Sequence, residues 1–302
     1  MSWLLSLPGD AVAQGGSIVL AALGGLASDA AGVLNTALEG FMSLGAFAYA
    51  LVAPRAGAFA GNLAAAGAAC LLAATIIHAV FKLRADIFVA GLAANLLVQG
   101  GVALLSWRAF GTKGVVAFPE LLSHRLDPGP LAELPVIGTL IAQRPSNLLL
   151  YALAALLWLL LAATPLGLRL RAAGQREEAL ALAGVNPSRV RFMAFAISGM
   201  AAAVAGAALS AQTGAWVPGA TSGRGWIALV AVYLGRRKPG GTVAASLGFA
   251  ALFAASNGLQ AFDAPPELVL ALPYVATALL VLAGKARLPR LRPRDEGPGR
   301  DA

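Results

Sequence analysis

The sequence predicts an all-α, polytopic membrane protein with about eight to ten transmembrane helices. Of its 302 residues, 59% are hydrophobic and only 12% are charged, and the mean hydropathy is +0.77. A soluble domain has a far more polar composition. The charged residues cluster between long uncharged stretches, each close to the ~20 residues that a helix needs to cross a bilayer. The net charge of +8 is therefore interpreted as an orientation signal, and a nucleic-acid partner is not expected.

Nine apolar segments occur along the chain. The second of them carries Glu39, and the seventh is short and preceded by Pro218 and Gly219, which favours a half-helix or a re-entrant element. In order, the segments cover residues 11–28, 29–52, 56–81, 87–107, 147–166, 192–212, 223–235, 240–261 and 268–284. The expected organisation is a transmembrane domain over residues 1–286, followed by a basic, proline-rich tail over residues 287–302 that we expect to be disordered.

The lysines and arginines predict the orientation in the membrane. If the charged stretch between the fifth and sixth segments is cytoplasmic, sixteen of the 22 basic residues lie inside and six lie outside. The N-terminus is then outside and the C-terminus is cytoplasmic. Residues 108–146, which contain five prolines, form an extracytoplasmic segment in this arrangement.

The charged stretch over residues 167–191 is expected to hold a short helix on the membrane surface. Residues 172–183 are strong helix formers, and Gly184 stands where a glycine ends a helix. Asn186 and Pro187 then form an N-cap and a first helical residue for the next span.

Polar residues inside the apolar segments are the candidates for a transport pathway. They occur as three pairs at helical spacing: Asn35 with Glu39, Asn95 with Gln99, and Asn257 with Gln260. Polar groups in hydrocarbon are costly, so each pair is expected to lie on one helix face that points into the bundle. Such faces either line a path for a solute or hold helices together.

Glu39 is a separate case, because an intramembrane carboxylate indicates a functional site by default. The neighbouring Phe41 either packs in the bundle or stacks on a ring-shaped solute.

Enzymatic chemistry is not expected in this chain. The sequence lacks a GxxxxGK[ST] nucleotide loop, an HExxH motif and a CxxC motif, and it has two histidines and one cysteine. No metal site or cofactor is predicted within one chain. If ATP drives this protein, another chain binds the ATP.

Several motifs resemble the permease subunits of bacterial ABC importers in the branched-chain amino acid and ribose class, and within it the nucleoside and simple-sugar subgroup. The first is GVLNTALEG at residues 32–40, although Thr36 and Ala37 depart from the common pattern. Further similar motifs are KLRAD at 82–86, LPVIG at 134–138, LGLRLRAAG at 166–174, AGVN at 183–186 and GRGWIALVA at 223–231.

The resemblance implies an ABC importer permease fold with a cytoplasmic coupling helix over residues 172–184. The residues that it assigns to contact with the ATPase are Arg176, Glu177, Glu178, Ala179, Ala183, Gly184 and Asn186. It further implies ABC ATPase subunits that hydrolyse ATP, a second permease subunit with a heterodimer favoured over a homodimer, and an extracytoplasmic solute-binding protein. The implied location is the bacterial plasma (inner) membrane, and the implied solute is a nucleoside or a simple sugar.

The main alternative is an ion-coupled secondary transporter in which Glu39 is the coupling site. That alternative predicts transport driven by an ion gradient without an ATPase partner.

Overall fold

The computed structural model describes residues 2–122, 124–127, 129, 135–259 and 275, and within them the chain is a helical bundle. Six of its helices are long and apolar enough to cross a membrane, so the predicted all-α membrane fold is confirmed. The described elements are α1 (Ser2–Ala30), α2 (Leu38–Lys82), α3 (Ile87–Phe110), β1 (Val116–Ala117), a 3₁₀ turn (Pro119–Leu121), α4 (Pro135–Ile141), α5 (Pro145–Ala163), α6 (Pro165–Gln175), α7 (Glu177–Leu182), α8 (Pro187–Thr213), β2 (Ala215–Trp216), α9 (Arg224–Leu234) and α10 (Pro239–Leu259).

Helix α2 is a hairpin of two spans. Its backbone leaves the helical region at Gly57, where φ is 85° and ψ is 165°. A Cβ on Gly61 would lie 2.7 Å from the Ala53 side chain and 2.8 Å from the Tyr49 ring. A straight helix would hold residues 49 and 61 about 18 Å apart, so residues 38–56 and 58–82 are two limbs that run back along each other. These limbs correspond to the second and third predicted spans.

The second span begins later than the sequence predicts. Helix α1 continues to Ala30, and residues 31–37 form a non-helical connection before α2 starts at Leu38. The prediction that Asn35 and Glu39 share one helix face is therefore wrong, because Asn35 precedes the helix. No charged residue occurs in this connection, so the run of uncharged residues does not reveal the interruption.

The core lies where α1 and the first limb of α2 pack against α8. Small residues allow the backbones to approach closely, and a Cβ on Gly206 of α8 would overlap the backbone of Met42. Ser210 adds a hydrogen bond of 3.1 Å to the carbonyl oxygen of Ala46. The second limb of α2, and α3 beside it, leave much more of their surface exposed.

Counting the limbs of α2 separately, the described residues contain seven segments of crossing length and the short helix α9. The ninth predicted segment, residues 268–284, and the tail at 287–302 lie outside the described residues, apart from Val275. Within 108–146, the described residues form β1, the 3₁₀ turn, α4 and the start of α5. Strand β1 pairs antiparallel with β2, with Val116 opposite Trp216.

The surface helix predicted over residues 172–183 is two helices. Helix α6 ends at Gln175, and Arg176 leaves the helical region, with φ at −145° and ψ at 72°, before α7 begins. Packing explains the break: a Cβ on Gly174 would overlap the carbonyl of Ala30, so the end of α6 is docked on the end of α1. The predicted helix end at Gly184 and the N-cap at Asn186 are confirmed.

Candidate functional site

The candidate site is built around α9, a helix that is too short to cross a membrane. Its eleven residues span about 16 Å, roughly half of the hydrocarbon thickness. Strand β2 precedes α9 and pairs with β1, which follows the end of α3. The chain after α9 instead reaches Asp29, at the end of α1. The seventh apolar segment is thus a half-helix: the chain enters the bundle from the side of β1 and β2, α9 begins inside the bundle, and the chain leaves on the opposite side.

Glu39 binds the beginning of α9. Its Oε1 accepts hydrogen bonds from the Thr221 hydroxyl at 2.5 Å and from the Gly223 backbone N–H at 2.9 Å. Its Oε2 accepts a hydrogen bond from the Gly225 N–H at 2.8 Å. A helix N-terminus leaves N–H groups unpaired and carries partial positive charge, so a carboxylate there is stabilised even in an apolar bundle. Glu39, only 6% exposed, anchors this half-helix.

The backbones of α2 and α9 meet at the same point. A Cβ on Gly225 would lie 2.6 Å from the Cα of Glu39, so glycine is required there for the N–H to reach the carboxylate. This contact joins parts of the chain that are 186 residues apart.

Asn35 and Asn95 hold the non-helical connection in place. Asn35 donates from Nδ2 to the Ser198 hydroxyl at 3.0 Å and accepts at Oδ1 from the Ala37 N–H. Asn95 accepts at Oδ1 from the Gly40 N–H at 2.7 Å and donates from Nδ2 to the carbonyl of Thr36 at 2.9 Å. Both side chains are buried and bonded at both polar atoms, so they connect elements rather than face a solute.

A cavity of about 380 Å³ lies between α2, α3 and the chain before α9. Glu39 and Ser43 lie at its inner end, and Lys113, which follows α3, lies at the end where β1 and β2 pair. Gln99 faces this cavity one helical turn beyond Asn95, and its side chain is exposed. A polar side chain in the middle of a span requires water, a solute or another protein rather than lipid. Hydrogen bonding is the chemistry that this cavity offers.

Trp216, which belongs to an aromatic cluster, forms part of one wall of the cavity. The indole N–H of Trp216 donates to the Ser106 hydroxyl at 3.0 Å, and the Trp216 ring meets Phe47 edge to face at 5.4 Å. Because Trp216 is 3% exposed, it fixes the shape of the wall.

Two other predicted site residues, Phe41 and Asn257, do not line the cavity. Phe41 is fully buried and meets Phe195 edge to face at 6.0 Å, so it belongs to the core. Asn257 is exposed on α10, which packs against α1 and α9, and Gln260 lies outside the described residues. The three predicted pairs do not converge as a set: Glu39 and Gln99 line the cavity, and Asn95 lies next to it.

Sequence reasoning missed the partners of Glu39 and most of the cavity wall. The missed residues are Ser43, Ser106, Lys113, Trp216 and Thr221. The sequence did carry one signal for this region, namely Pro218, Gly219 and Gly223 before a short apolar helix. Such a pattern indicates a chain that is irregular inside the bundle.

The surface around α7 is a second candidate site. Glu177, Glu178, Ala179, Ala183 and Gly184 are exposed, whereas Leu180 is buried. The N–H of Gly184 bonds the carbonyl of Ala181, and that of Val185 bonds the carbonyl of Leu180, which is the hydrogen-bond pattern of a Schellman motif. Arg191 of α8 pairs with Glu177 at 2.7 Å and fixes α7 against the bundle. Leu182 is 90% exposed, so this small helix presents an apolar side chain to water.

Comparison with known proteins identifies the family. Residues 8–283 match the family described as the permease component of the branched-chain amino acid transport system. The chain is 33% identical over 291 residues to the guanosine ABC transporter permease protein NupQ of Bacillus subtilis, with 90% of each chain covered. It is 30% identical over 293 residues to the nucleoside ABC transporter permease protein NupC of Lactococcus lactis subsp. cremoris, again with 90% of each covered.

A solved structure shares the fold. It is described as an inward-facing conformation of a metal-chelate type ABC transporter, and it matches with a TM-score of 0.51 at 17% identity. The match covers 93% of this chain and 85% of that chain. Because its relatives are transport subunits, the chain is a transport subunit rather than an enzyme. It belongs to the family of branched-chain amino acid type transport permeases, as the membrane subunit of an ABC importer.

Proposed function

We propose that this chain forms one half of the translocation pathway for a nucleoside, with simple sugars as the second solute class. The observation that carries the proposal is the cavity between Glu39 and Lys113, in a chain that is 33% identical to a guanosine permease protein. Its volume of about 380 Å³ lies in the range of small-molecule sites, about 300–1,000 Å³. Gln99 and Ser43 offer the donors and acceptors that sugar hydroxyls and base edges require.

A second permease subunit completes the pathway. Gln99 lies on a face of α3 that this chain leaves open, and Leu96 and Leu97 beside it are 75% and 70% exposed. A partner that packs on this face would give Gln99 a polar, enclosed setting. We propose a heterodimer, following the resemblance to the nucleoside subgroup.

The surface around α7 docks on a separate ABC ATPase, which binds ATP and Mg²⁺. Its contact residues are those around Glu178 and Gly184, and Leu182 is the apolar anchor. Closure of the ATPases moves α7, and the two permeases change between outward and inward access as rigid bodies. This chain itself holds no cofactor.

The N-terminus lies outside and the C-terminus lies in the cytoplasm of a bacterial inner membrane. In this orientation the cavity opens outward past Lys113, and a solute-binding protein delivers the solute to that face. Ion coupling through Glu39 is not favoured, because three hydrogen bonds from the start of α9 occupy this carboxylate.

The test is an affinity purification of the tagged chain from its native membrane, followed by uptake of labelled guanosine in the same cells. We expect an ABC ATPase and a second permease in the purified complex, and uptake that unlabelled nucleosides inhibit more strongly than glucose. Purification of this chain with itself as the sole permease would contradict the heterodimer. Uptake that follows an ion gradient and survives ATP depletion would contradict the whole proposal.

A further inference from the structure

We propose that the membrane face carrying α6 and α7 has a binding site for one anionic phospholipid. The phosphate would lie against Arg171 and Arg237, and an acyl chain would lie in the groove between α5 and α10. The proposal combines two cavities that meet end to end, one charged and one apolar.

The charged cavity has a volume of about 190 Å³ and lies where α1, α5, α6 and the start of α10 come together. Arg171 donates from Nη1 to the carbonyl of Leu161 at 2.6 Å, which holds its guanidinium at the end of α5. Arg237 binds Asp29 through two contacts of 2.9 Å. Asp29 is thus already paired, and the charge of Arg171 gives the cavity a net positive charge.

The apolar groove has a volume of about 250 Å³ and continues from the charged cavity into the bundle. Its floor is Val19 and Leu23 of α1, and the next turn of α1 brings Leu26 into the charged cavity. On α5, Trp158 lies in the groove and Leu161, three residues later, lies in the charged cavity. On α10, Gly240 lies in the groove and Pro239 in the charged cavity. The two cavities therefore form one crevice.

A molecule that fills this crevice must have an anionic head and an apolar tail. A guanidinium binds phosphate oxygens with directed, charge-assisted hydrogen bonds. The Arg171 guanidinium reaches the end of α5, and Arg237 lies in the loop between α9 and α10, so both lie at the face where lipid phosphates would lie. The charge distribution of the chain predicts that this face is cytoplasmic. On the cytoplasmic side of a membrane, basic pockets between helices bind the head groups of anionic lipids. A free phosphate would leave the groove unused, so the occupant we commit to is a phospholipid.

The test is native mass spectrometry of the full-length protein in mild detergent, with phosphatidylglycerol and phosphatidylcholine as the probes. We expect about tenfold stronger retention of phosphatidylglycerol, and a loss of that preference in Arg171→Gln. Arg169→Gln is the matched control, because Arg169 is exposed on the same helix outside the cavity. Equal retention of the two lipids by the unchanged protein would overturn the proposal.

The groove is tested separately with Gly240→Leu. A Cβ on Gly240 meets nothing within 4 Å, so leucine would fill the groove and leave both arginines in place. Gly248→Leu, at an equally open position on α10 outside the groove, is the control. We expect phosphatidylglycerol retention to fall about tenfold in Gly240→Leu alone. The contrary result is that no lipid is retained, while inorganic phosphate binds through Arg171 and its binding is unaffected by Gly240→Leu. That result would assign the cavity to a free anion and overturn the proposal.

A segment of this chain is the rival occupant. To test this rival, Val243→Cys is combined with single cysteine substitutions over residues 268–284, all in a Cys70→Ala background. Efficient disulfide formation in membranes would show that the chain's own segment fills the groove, and would overturn the lipid site.

Discussion

Glu39 and the acidic pair Glu177 and Glu178 are the same chemistry in opposite settings. Glu39 is 6% exposed, and its carboxylate is bonded to groups more than 180 residues away in sequence. Glu178 is exposed on α7, and Glu177, also exposed, pairs with the nearby Arg191. The interior carboxylate completes the fold, whereas the acidic residues of α7 leave a surface on which another protein can pack.

Because Glu39 is buried and the acidic residues of α7 are exposed, substitutions at the two places should have different effects. A change at Glu39 acts first on the stability of this chain, and through it on transport. A change on the surface of α7 acts on assembly and leaves the chain folded. Measuring stability and assembly in the same variants distinguishes the two settings.

The largest expected effect is that of Glu39→Ala. Two backbone N–H groups and the Thr221 hydroxyl would lose their acceptor in the bundle interior, where each unpaired group costs about 1–3 kcal/mol. We expect destabilisation on the order of 3 kcal/mol, measured as a lower midpoint of thermal unfolding in detergent.

Glu39→Gln is the control, because it keeps one acceptor oxygen and loses the charge. We expect about half of the effect of Glu39→Ala. If Glu39→Ala abolished uptake with an unchanged unfolding midpoint, Glu39 would act on the solute or an ion, and its role as an anchor would be wrong.

The next effect concerns assembly, through Leu182→Arg. Leu182 is 90% exposed on α7, the helix that we propose docks on the ATPase, so it is a candidate anchor; loss of a central anchor costs about 2 kcal/mol or more of binding free energy. We expect at least about a tenfold loss of the ATPase in affinity purification. The unfolding midpoint of this chain should be unchanged, because Leu182 contributes little buried area.

Leu168→Arg tests whether α7 is special in this respect. Leu168 is 63% exposed on α6, so it matches Leu182 in residue type and setting. Equal loss of the ATPase in both variants would show that the whole loop, rather than α7, carries the contact.

The sequence predicted local features well because local chemistry determines them. Hydropathy over about 20 residues located the spans, including the two limbs of α2. Gly184 and Asn186 were predicted at helix ends because their own conformational preferences and side chains end and begin helices.

The sequence did not predict what depends on distant contacts. Asn35 lies outside α2, since its bond to Ser198 and the contact of Asn95 with the carbonyl of Thr36 stabilise an irregular backbone that hydropathy does not detect. The break at Arg176 has the same origin, because α6 docks on α1. The sequence singled out Glu39 as polar within an apolar segment, but its partners Thr221, Gly223 and Gly225 are known only from the fold.

A smaller effect is expected at Gln99, which lies in the cavity but not in the anchor. Gln99→Ala should raise the half-saturation concentration for nucleoside uptake about fivefold, the equivalent of one hydrogen bond of about 1 kcal/mol. Thr75→Ala is the control, because the Thr75 hydroxyl is exposed and bonds carbonyls of its own helix. A lowered unfolding midpoint in Gln99→Ala would instead place Gln99 among the residues that hold the bundle together.

The smallest effect is expected at Asn257, although its spacing from Gln260 made it as good a sequence candidate as Gln99. Asn257 is exposed on α10, away from the cavity, so Asn257→Leu should change stability by less than about 0.5 kcal/mol and leave nucleoside uptake unchanged. Uptake and the unfolding midpoint, measured beside Gln99→Ala, check this. A loss of uptake as large as that of Gln99→Ala would mean that α10 also lines the translocation pathway. Polar residue type within a span would then predict pathway residues better than position in the described cavity does.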